Sequence, residues 1–203
     1  MLVNIAIEGV DRLGKDTLIK GLLNRLGFMQ VIHYQKPLKL EALGNSLFAY
    51  QQRSFAKMFA MLEQGGFLLN RAHLGEVVYS HRYRGYDGSY VYSLEQPTAC
   101  ENTLLVLLHA SSWAPITDDG ESFDFSAKEA EQADFWRAWE RSNIKHKLSL
   151  DVTCGINFVS AERLLQVVQS AFEVLTPAET IIHVSWDEVD GKLMQVNKFA
   201  ESH

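Results

Sequence analysis

The residues best suited to chemistry lie near the N-terminus, in the segment Gly9-Val10-Asp11-Arg12-Leu13-Gly14-Lys15-Asp16-Thr17. At one position this segment differs from the pattern G-x-x-x-x-G-K-[ST], in which backbone N–H groups and a lysine surround phosphate oxygens. Gly9 and Gly14 can turn successive N–H groups inward onto an anion, and Lys15 adds a mobile positive charge. A buried strand pattern precedes the segment and an amphipathic helix pattern follows it. This context favours a phosphate-binding loop (P-loop) over a glycine turn that binds nothing.

The departure from the pattern is at Asp16, where a P-loop has a serine or threonine that holds magnesium. A carboxylate is a good ligand for this hard cation, so a metal role for the position is retained. The carboxylate also places a negative charge beside phosphates, which requires the metal to be present. Thr17 carries a hydroxyl, but one position later in the helix. We therefore predict that Asp16 ligates Mg²⁺.

Strand and helix patterns alternate along the rest of the chain. Short apolar runs without polar alternation are typical of strands buried on both faces, and apolar residues three and four apart are typical of amphipathic helices. Such an alternation predicts an α/β fold, with a central parallel sheet covered by helices on both faces. The predicted strands are residues 2–7, 28–34, 67–69, 103–109 and 147–152, and the predicted helices are residues 15–26, 41–64, 127–141 and 161–174.

Two segments do not fit this alternation. Residues 111–126 contain a proline, a glycine and several aspartates and hydroxyl residues, and their length is unusual for a connection. They predict a mobile cover (lid) or a disordered loop. Near the C-terminus, Asp190-Gly191 separates two strand patterns and predicts a β-hairpin. We therefore divide the chain into a main domain, residues 1–176, with the lid at about 111–126, and a C-terminal β-hairpin extension, residues 177–203.

Composition limits the classes of function. The chain has 203 residues, of which 47% are hydrophobic, and this is the composition of a globular protein. Its net charge of −6 argues against a protein that coats nucleic acid by charge alone. Its two cysteines are too few for a disulfide framework or a four-cysteine zinc site and are typical of a reducing compartment. The sequence shows no signal-peptide pattern and no apolar run long enough to span a bilayer. We expect a cytoplasmic protein that binds neither membrane nor nucleic acid stably.

The segment Ile7-Glu8-Gly9-Val10-Asp11-Arg12-Leu13-Gly14-Lys15 resembles the P-loop of thymidylate kinases, particularly the type with an arginine inside the loop. Phe67-Leu68-Leu69-Asn70-Arg71 resembles the family's strand that ends in an Asp-Arg pair. The run from Arg71 to Tyr79, followed by Tyr83-Arg84-Gly85-Tyr86, resembles phage-type deoxynucleotide kinases. The resemblance covers residues 2–175. It implies a three-layer P-loop kinase fold, to which the C-terminal β-hairpin is an addition, and a host-cytoplasmic location if the protein is phage-encoded.

The resemblance also implies roles for individual residues. Asp11 would accept a hydrogen bond from the acceptor's 3′-hydroxyl, Arg71 would lie near the acceptor's phosphate, and Tyr79 against its sugar. Family members with an arginine in the P-loop typically lack one in the lid, and residues 101–127 here contain no Lys or Arg. A transferring phosphoryl group needs a guanidinium to stabilise its charge, so Arg12 is the candidate. The predicted catalytic residues are Lys15, Arg12 and Arg71, and the predicted ATP-binding residues are Gly9, Asp11, Arg12, Leu13, Gly14, Lys15, Asp16 and Thr17.

Several positions depart from the family's pattern. Asn70 stands where the family has an aspartate associated with the metal, and we hypothesise that one carboxylate has moved from this strand to Asp16. Lys36 is one place away from the family's arginine, and Phe48 and Arg53 are five rather than four residues apart. Glu76 is interpreted either as an acceptor-site residue or as a surface or capping glutamate. The predicted acceptor-binding residues are Asp11, Lys36, Phe48, Arg53, Arg71, Glu76 and Tyr79.

These observations predict an enzyme that transfers the γ-phosphoryl group of ATP, with Mg²⁺, to a deoxynucleoside monophosphate. The resemblance favours dTMP as the acceptor and implies a homodimer. Three alternatives stay open. The first is a deoxynucleoside kinase, which needs a carboxylate base after the second strand, where the sequence has Lys36 and no acid before Glu41. The second is a kinase of a modified pyrimidine deoxynucleotide, and the third is an ATP-binding module without catalysis.

Overall fold

The computed structural model describes residues 3–27, 29–34, 47–117, 125–173, 180–189 and 192–199. Strands form where apolar residues run without a polar break, and every residue of Asn4–Glu8 is buried. Helices form where apolar residues recur on one face. The strands are β1 (Asn4–Glu8), β2 (Gln30–His33), β3 (Phe67–Asn70), β4 (Thr103–His109), β5 (His146–Asp151), β6 (Thr153–Cys154), β7 (Asn157–Phe158), β8 (Thr180–Val189) and β9 (Lys192–Phe199). The helices are α1 (Lys15–Arg25), α2 (Leu47–Leu62), α3 (Leu74–Tyr79), α4 (Pro97–Glu101), α5 (Phe125–Arg141) and α6 (Ala161–Glu173).

Seven strands form the central sheet in the order β2-β3-β1-β4-β5-β8-β9. All neighbouring pairs from β2 to β8 are parallel, and only β9 is antiparallel to its neighbour. The helices form two groups: α1 packs against α6, while α3 packs against α5 and α2 against α4. The predicted α/β fold, with a mostly parallel sheet between helical layers, is confirmed. The carboxyl ends of β2, β3 and β1 lie side by side in that order, which brings the loop after β1 next to the end of β3.

The C-terminal hairpin extends the edge of the central sheet. β8 is parallel to β5 from Thr180 opposite His146 onward, and β9 returns antiparallel to β8. The indole Nε1 of Trp186, a buried side chain, donates to the Asp151 carbonyl at 2.8 Å. The predicted turn residues 190 and 191 lie outside the described residues, but the two strands that flank them pair as a hairpin should.

The segment between β3 and β4 differs most from the prediction. It contains the short helices α3 and α4, with a π-helical turn, Ser80–Arg84, and a 3-10 helix, Gly88–Leu94, between them. Elements of five to seven residues are too short to show a helical period in the sequence. Two other predictions are only partly described: α2 is seen from residue 47 rather than 41, and positions 118–124 of the lid lie outside the described residues. α5 begins at Phe125, two residues before the predicted start.

In the portion of the chain that the structure describes, none of the helices is both long and apolar enough to cross a lipid bilayer.

Asn4 joins four segments of the core. Its fully buried amide donates to the Leu62 carbonyl at 2.8 Å and lies 3.3 Å from the Asn102 carbonyl, while its Oδ1 accepts from Phe67 N at 3.1 Å. We predict that Asn4→Ala lowers the free energy of unfolding by about 1–3 kcal/mol, because the N–H of Phe67 loses its acceptor and the Leu62 carbonyl loses one of its two donors. Urea denaturation of the wild type and the variant measures this change in the free energy of unfolding. The exposed Asn24 of α1 is the control, and Asn24→Ala should change the value by less than about 0.5 kcal/mol. Equal effects of the two substitutions would contradict the prediction.

Candidate active site

The loop after β1 has the backbone of a phosphate-binding turn. Gly9 has φ +131°, and a Cβ placed on it would lie 2.4 Å from the carbonyl oxygen of Leu108, so only glycine fits. Gly14, with φ 78°, immediately precedes the first residue of α1. Successive N–H groups and the N-terminus of an 11-residue helix therefore face the same side of the loop. The loop predicted from the sequence is present in the structure.

Lys15 is the buried cation of the loop, with 7% of its side chain exposed. Its Nζ donates to the carbonyls of Gly9 at 2.8 Å and Val10 at 2.5 Å. Burial, reinforced by the positive charge of Arg71, lowers the pKa of Lys15 to about 8. The ammonium is thus held beneath the loop by two backbone carbonyls. A phosphate bound in the loop could attract the ammonium away from them.

Arg71 reaches the P-loop from the end of β3. Its guanidinium forms an ion pair with Asp11, whose carboxylate also lies 3.9 Å from Lys15 Nζ. Burial opposes ionisation of Asp11, but Lys15 and Arg71 together lower the pKa of this carboxyl below its usual value. The structure therefore brings together three of the predicted site residues, which come from two neighbouring strand ends.

Two arginines of the site have strained backbones. Among the described residues, the non-glycine positions with positive φ are Arg12, at 72°, and Arg71, at 66°. Residues in such conformations cost roughly 1 kcal/mol or more and cluster at functional sites. The Arg12 guanidinium donates to the Thr117 carbonyl at 3.0 Å, so it lies against the described start of the lid. This location is compatible with the predicted role of Arg12 on a phosphate between loop and lid.

Glu8, which sequence reasoning left without a role, fixes the start of α3 to the end of β1. Its buried carboxylate accepts hydrogen bonds from the N–H groups of Ala72 at 2.9 Å and Leu74 at 2.8 Å, at the start of α3. Burial raises the pKa of Glu8, against the effects of His73 and the backbone donors. The sequence signal for this role was a carboxylate at the end of an otherwise apolar strand, directly before Gly9.

Of the two predicted acceptor residues on α3, Glu76 is buried, and Tyr79 is half-buried with its hydroxyl shielded from solvent. The Tyr79 ring packs edge-on against Phe135, and within the described residues its hydroxyl lacks a hydrogen-bond partner. Burial, and then the charge of Asp11, raises the pKa of Tyr79 far above its usual value. The hydroxyl is therefore a neutral donor placed near the Asp11–Arg71 pair.

Glu76 is the centre of a polar cluster, so the alternative of a surface glutamate is wrong. It is 2% exposed and forms an ion pair with Arg84. Tyr86 and Tyr90 donate to its Oε1 at 2.6 and 3.0 Å, and Gln51 of α2 lies 3.5 Å from Oε2. Sequence reasoning missed the partners of Glu76, because the short helices that bring them together have no visible period.

Phe48 packs edge-on against the rings of Tyr86 and Tyr90, with centroids 5.4 and 5.1 Å apart, and is 42% exposed. One face of an aromatic cluster is thus open beside Glu76. Arg53 is exposed and lies about 140° around α2 from Phe48 at 100° per residue, so the structure does not bring these two together. The predicted residue Lys36 lies outside the described residues.

Asp16 and Asn70, the two departures from the family's pattern, lie in contact. Asn70 Nδ2 donates to Asp16 Oδ1 at 2.5 Å and lies 3.0 Å from His33 Nδ1. Carboxylate and amide oxygens are ligands that Mg²⁺ accepts; Asp16 is in the first turn of α1, and Asn70 ends β3. The donor set therefore fits the predicted metal. Leu13 is buried beneath the loop, and Thr17 is exposed on α1.

Comparison with known proteins agrees with this architecture. No family model and no curated protein matches the chain. The YorR protein of Bacillus subtilis, in complex with phosphorylated GDP, superposes with a TM-score of 0.64 at 17% identity, over 84% of this chain and 96% of that chain. A deoxyadenosine kinase from M. mycoides with bound dCTP gives a TM-score of 0.47 at 9% identity, over 84% and 98% of the two chains. A thymidylate kinase from Ehrlichia chaffeensis gives a TM-score of 0.46 at 15% identity, over 83% of this chain and 97% of that chain.

The strand order and the likeness to YorR together confirm the predicted three-layer α/β fold, with the glycine-rich loop after its first strand.

The lowered pKa of Lys15 predicts a proton linkage. At pH 8 about half of the free protein carries a neutral Lys15, and a bound phosphate favours its charged form, so binding of ADP should take up about half a proton. Calorimetric titrations in buffers of different ionisation enthalpy measure this uptake. Lys20→Met, at an exposed position of α1, is the control and should leave it unchanged. Binding without proton uptake at pH 8 would show that Lys15 is already charged and would contradict the prediction.

Proposed function

We propose that the chain is a nucleotide kinase that transfers the γ-phosphoryl group of ATP to a deoxynucleoside monophosphate, with dTMP as the preferred acceptor. The observation that carries the proposal is the ion pair between Asp11 of the P-loop and Arg71, which directly follows β3. It joins a loop suited to donor phosphates to an arginine suited to an acceptor phosphate. A P-loop that served binding alone would not require a second guanidinium at this place.

The residues of the loop would stabilise charge during transfer. A phosphate oxygen of the acceptor forms a bond to the γ-phosphorus as the bond to the β,γ-bridging oxygen breaks, and ADP leaves with the electron pair. Lys15 moves from the loop carbonyls to the phosphates, and Arg12 contacts the equatorial oxygens of the transferring group. An acceptor phosphate is already anionic, so positioning rather than proton abstraction accounts for the rate. The full engagement of Glu76 by its neighbours is compatible with this, since no free base is needed.

Mg²⁺ would be held by Asp16 and Asn70. When bound, it neutralises charge on the β- and γ-phosphates. Both side chains stand at the strand and helix ends that border the P-loop, which supports their assignment.

The acceptor would lie between α2 and α3. Arg71 would bind its phosphate, Asp11 and Tyr79 its sugar, and Phe48 its base, with Glu76 holding the pocket's aromatic wall in place. Phosphorylated GDP is a ligand of YorR, which supports a nucleotide for this fold but leaves the base to be determined. The preference for dTMP rests on the resemblance to thymidylate kinases, as does the proposed homodimer. The lid, residues 111–126, would close over the donor and exclude water.

A phosphoryl-transfer screen tests the proposal. Each deoxynucleoside monophosphate, including modified pyrimidines, is incubated with ATP and Mg²⁺ beside its parent nucleoside, and the products are separated by chromatography. We expect diphosphate from a monophosphate, with dTMP turned over fastest, and at least about a hundredfold less from Lys15→Met, which removes charge stabilisation in the transition state. Lys20→Met is the matched control and should act as wild type.

Other outcomes of the screen identify the alternatives. Product from nucleosides alone would identify a nucleoside kinase. Tight binding of ATP without product from any acceptor would identify a non-catalytic module. Either result would contradict the proposed reaction.

The contact between Asp16 and Asn70 predicts coupled substitutions. Asp16→Ser should lower kcat/KM about tenfold to a hundredfold by removing the carboxylate, and Asn70→Asp should lower it by placing two carboxylates at hydrogen-bond distance. The double variant restores one carboxylate and one hydroxyl in exchanged places, so we expect it to be at least about tenfold more active than either single variant. A double-mutant cycle measures this. Losses that simply add would contradict the exchange of the carboxylate.

A further inference from the structure

His33, the last residue of β2, lies opposite Asn70 in the register of β2 and β3. Its Nδ1 is 3.0 Å from Asn70 Nδ2, and the same amide nitrogen is 2.5 Å from Asp16 Oδ1. An amide –NH₂ has two hydrogens, and these two acceptors account for both. A carboxylate oxygen and an imidazole lone pair therefore converge on the Asn70 amide nitrogen beside the P-loop.

We propose that His33, Asp16 and Asn70 form a mixed nitrogen–oxygen metal site, in which His33 Nδ1 directly binds the divalent ion that accompanies the nucleotide. The site would select Mn²⁺ over Mg²⁺. The proposal rests on the proposed function for the nucleotide, but the metal ligands are side chains of this chain alone.

The geometry requires the Asn70 side chain to move. The space between Asp16 Oδ1 and His33 Nδ1 holds the amide –NH₂ group, so a cation bound there requires this side chain to draw back and turn over to present Oδ1. Rotation about this terminal torsion is broad and nearly two-fold, and the two orientations have the same shape. Lys15 does not occupy the point, because its ammonium donates to the carbonyls of Gly9 and Val10. His33 is exposed, so an ion can enter from solvent.

The protonation state implied for His33 suits a ligand. Because Nδ1 accepts from the Asn70 amide, it carries the lone pair, and Nε2 carries the hydrogen in neutral imidazole. Metal binding at Nδ1 thus needs no tautomer change. The resulting protein ligands are one carboxylate oxygen, one amide oxygen and one nitrogen.

This donor set determines the metal preference. Mg²⁺ favours oxygen ligands in a strict octahedron and loses water reluctantly, whereas imidazole suits first-row transition ions and Mn²⁺ also accepts carboxylate and carbonyl oxygens. In the described residues no three His, Cys, Asp or Glu side chains converge as a metal-binding group. The ion would therefore depend on phosphate oxygens and water to complete its coordination, and should bind with the nucleotide rather than before it.

Pulsed electron paramagnetic resonance of the Mn²⁺·ADP complex tests the site. The full chain is prepared with ¹⁵N-labelled histidine and without a histidine tag, so that couplings from the protein's imidazoles differ from those of the adenine nitrogens. We expect a ¹⁵N coupling typical of a directly bound imidazole in wild type, and its loss in His33→Gln. His81→Gln, which alters an exposed histidine outside the site, is the matched control and should keep the coupling.

A binding titration gives a second readout. His33→Gln should weaken Mn²⁺ binding to the ADP complex about tenfold, and Mg²⁺ binding by less than about twofold. Absence of the ¹⁵N coupling, or equal weakening for both ions, would overturn the proposal and leave the Asn70 amide as a bridge that merely orients Asp16. The outcome is separate from that of the kinase screen: the coupling can be present in a chain that does not transfer phosphate, and a kinase can lack it.

Discussion

The geometry of the site depends on the buried carboxylate of Glu8. This residue ends β1, directly before the first glycine of the P-loop, and accepts the first N–H groups of α3. A buried carboxylate is costly, and backbone donors at a helix N-terminus offset that cost only if the helix starts at this place. Glu8 therefore fixes where α3 begins relative to the loop. The positions of Glu76 and Tyr79 follow from that start, because both lie on α3, five and eight residues after Arg71.

The same constraint explains which parts of the molecule the sequence could predict. β4 was predicted at its observed bounds because its run of apolar residues is long and buried on both faces. The P-loop was predicted because two glycines and a lysine at fixed spacing have few other uses. The segment from α3 to α4 was not predicted, since its helical pieces are held by Glu8, Glu76 and packing rather than by a period of their own. The partners of Glu76 are up to 25 residues away in the chain, at Gln51, and only the fold brings them together.

The contact between Asp16 and Asn70 illustrates a different limit. The sequence showed two departures 54 positions apart and suggested that they compensate. Their proximity followed from the resemblance, which has a metal-associated aspartate at the position of Asn70. The third member, His33, carried no signal, since a lone histidine at a strand end is common and its neighbour Asn70 is reached through the register of β2 and β3. Pairs of residues that match a known pattern can thus be recognised in the sequence, whereas recognising a new ligand beside them requires knowledge of the strand order.

Charge balance then links the loop, the acceptor and the metal. Asp11 is neutralised by Arg71 and Lys15, so neither cation is wholly free until a phosphate displaces the carboxylate or joins it. Asp16 adds a second negative charge, which a serine or threonine would not. On the proposed function, an additional cation would therefore be needed beside the donor phosphates, and a site that includes nitrogen would favour Mn²⁺ over Mg²⁺. In the proposed site, the carboxylate that replaces a hydroxyl at position 16 and the imidazole at the end of β2 would bind the same cation, and that cation would offset the charge of the carboxylate.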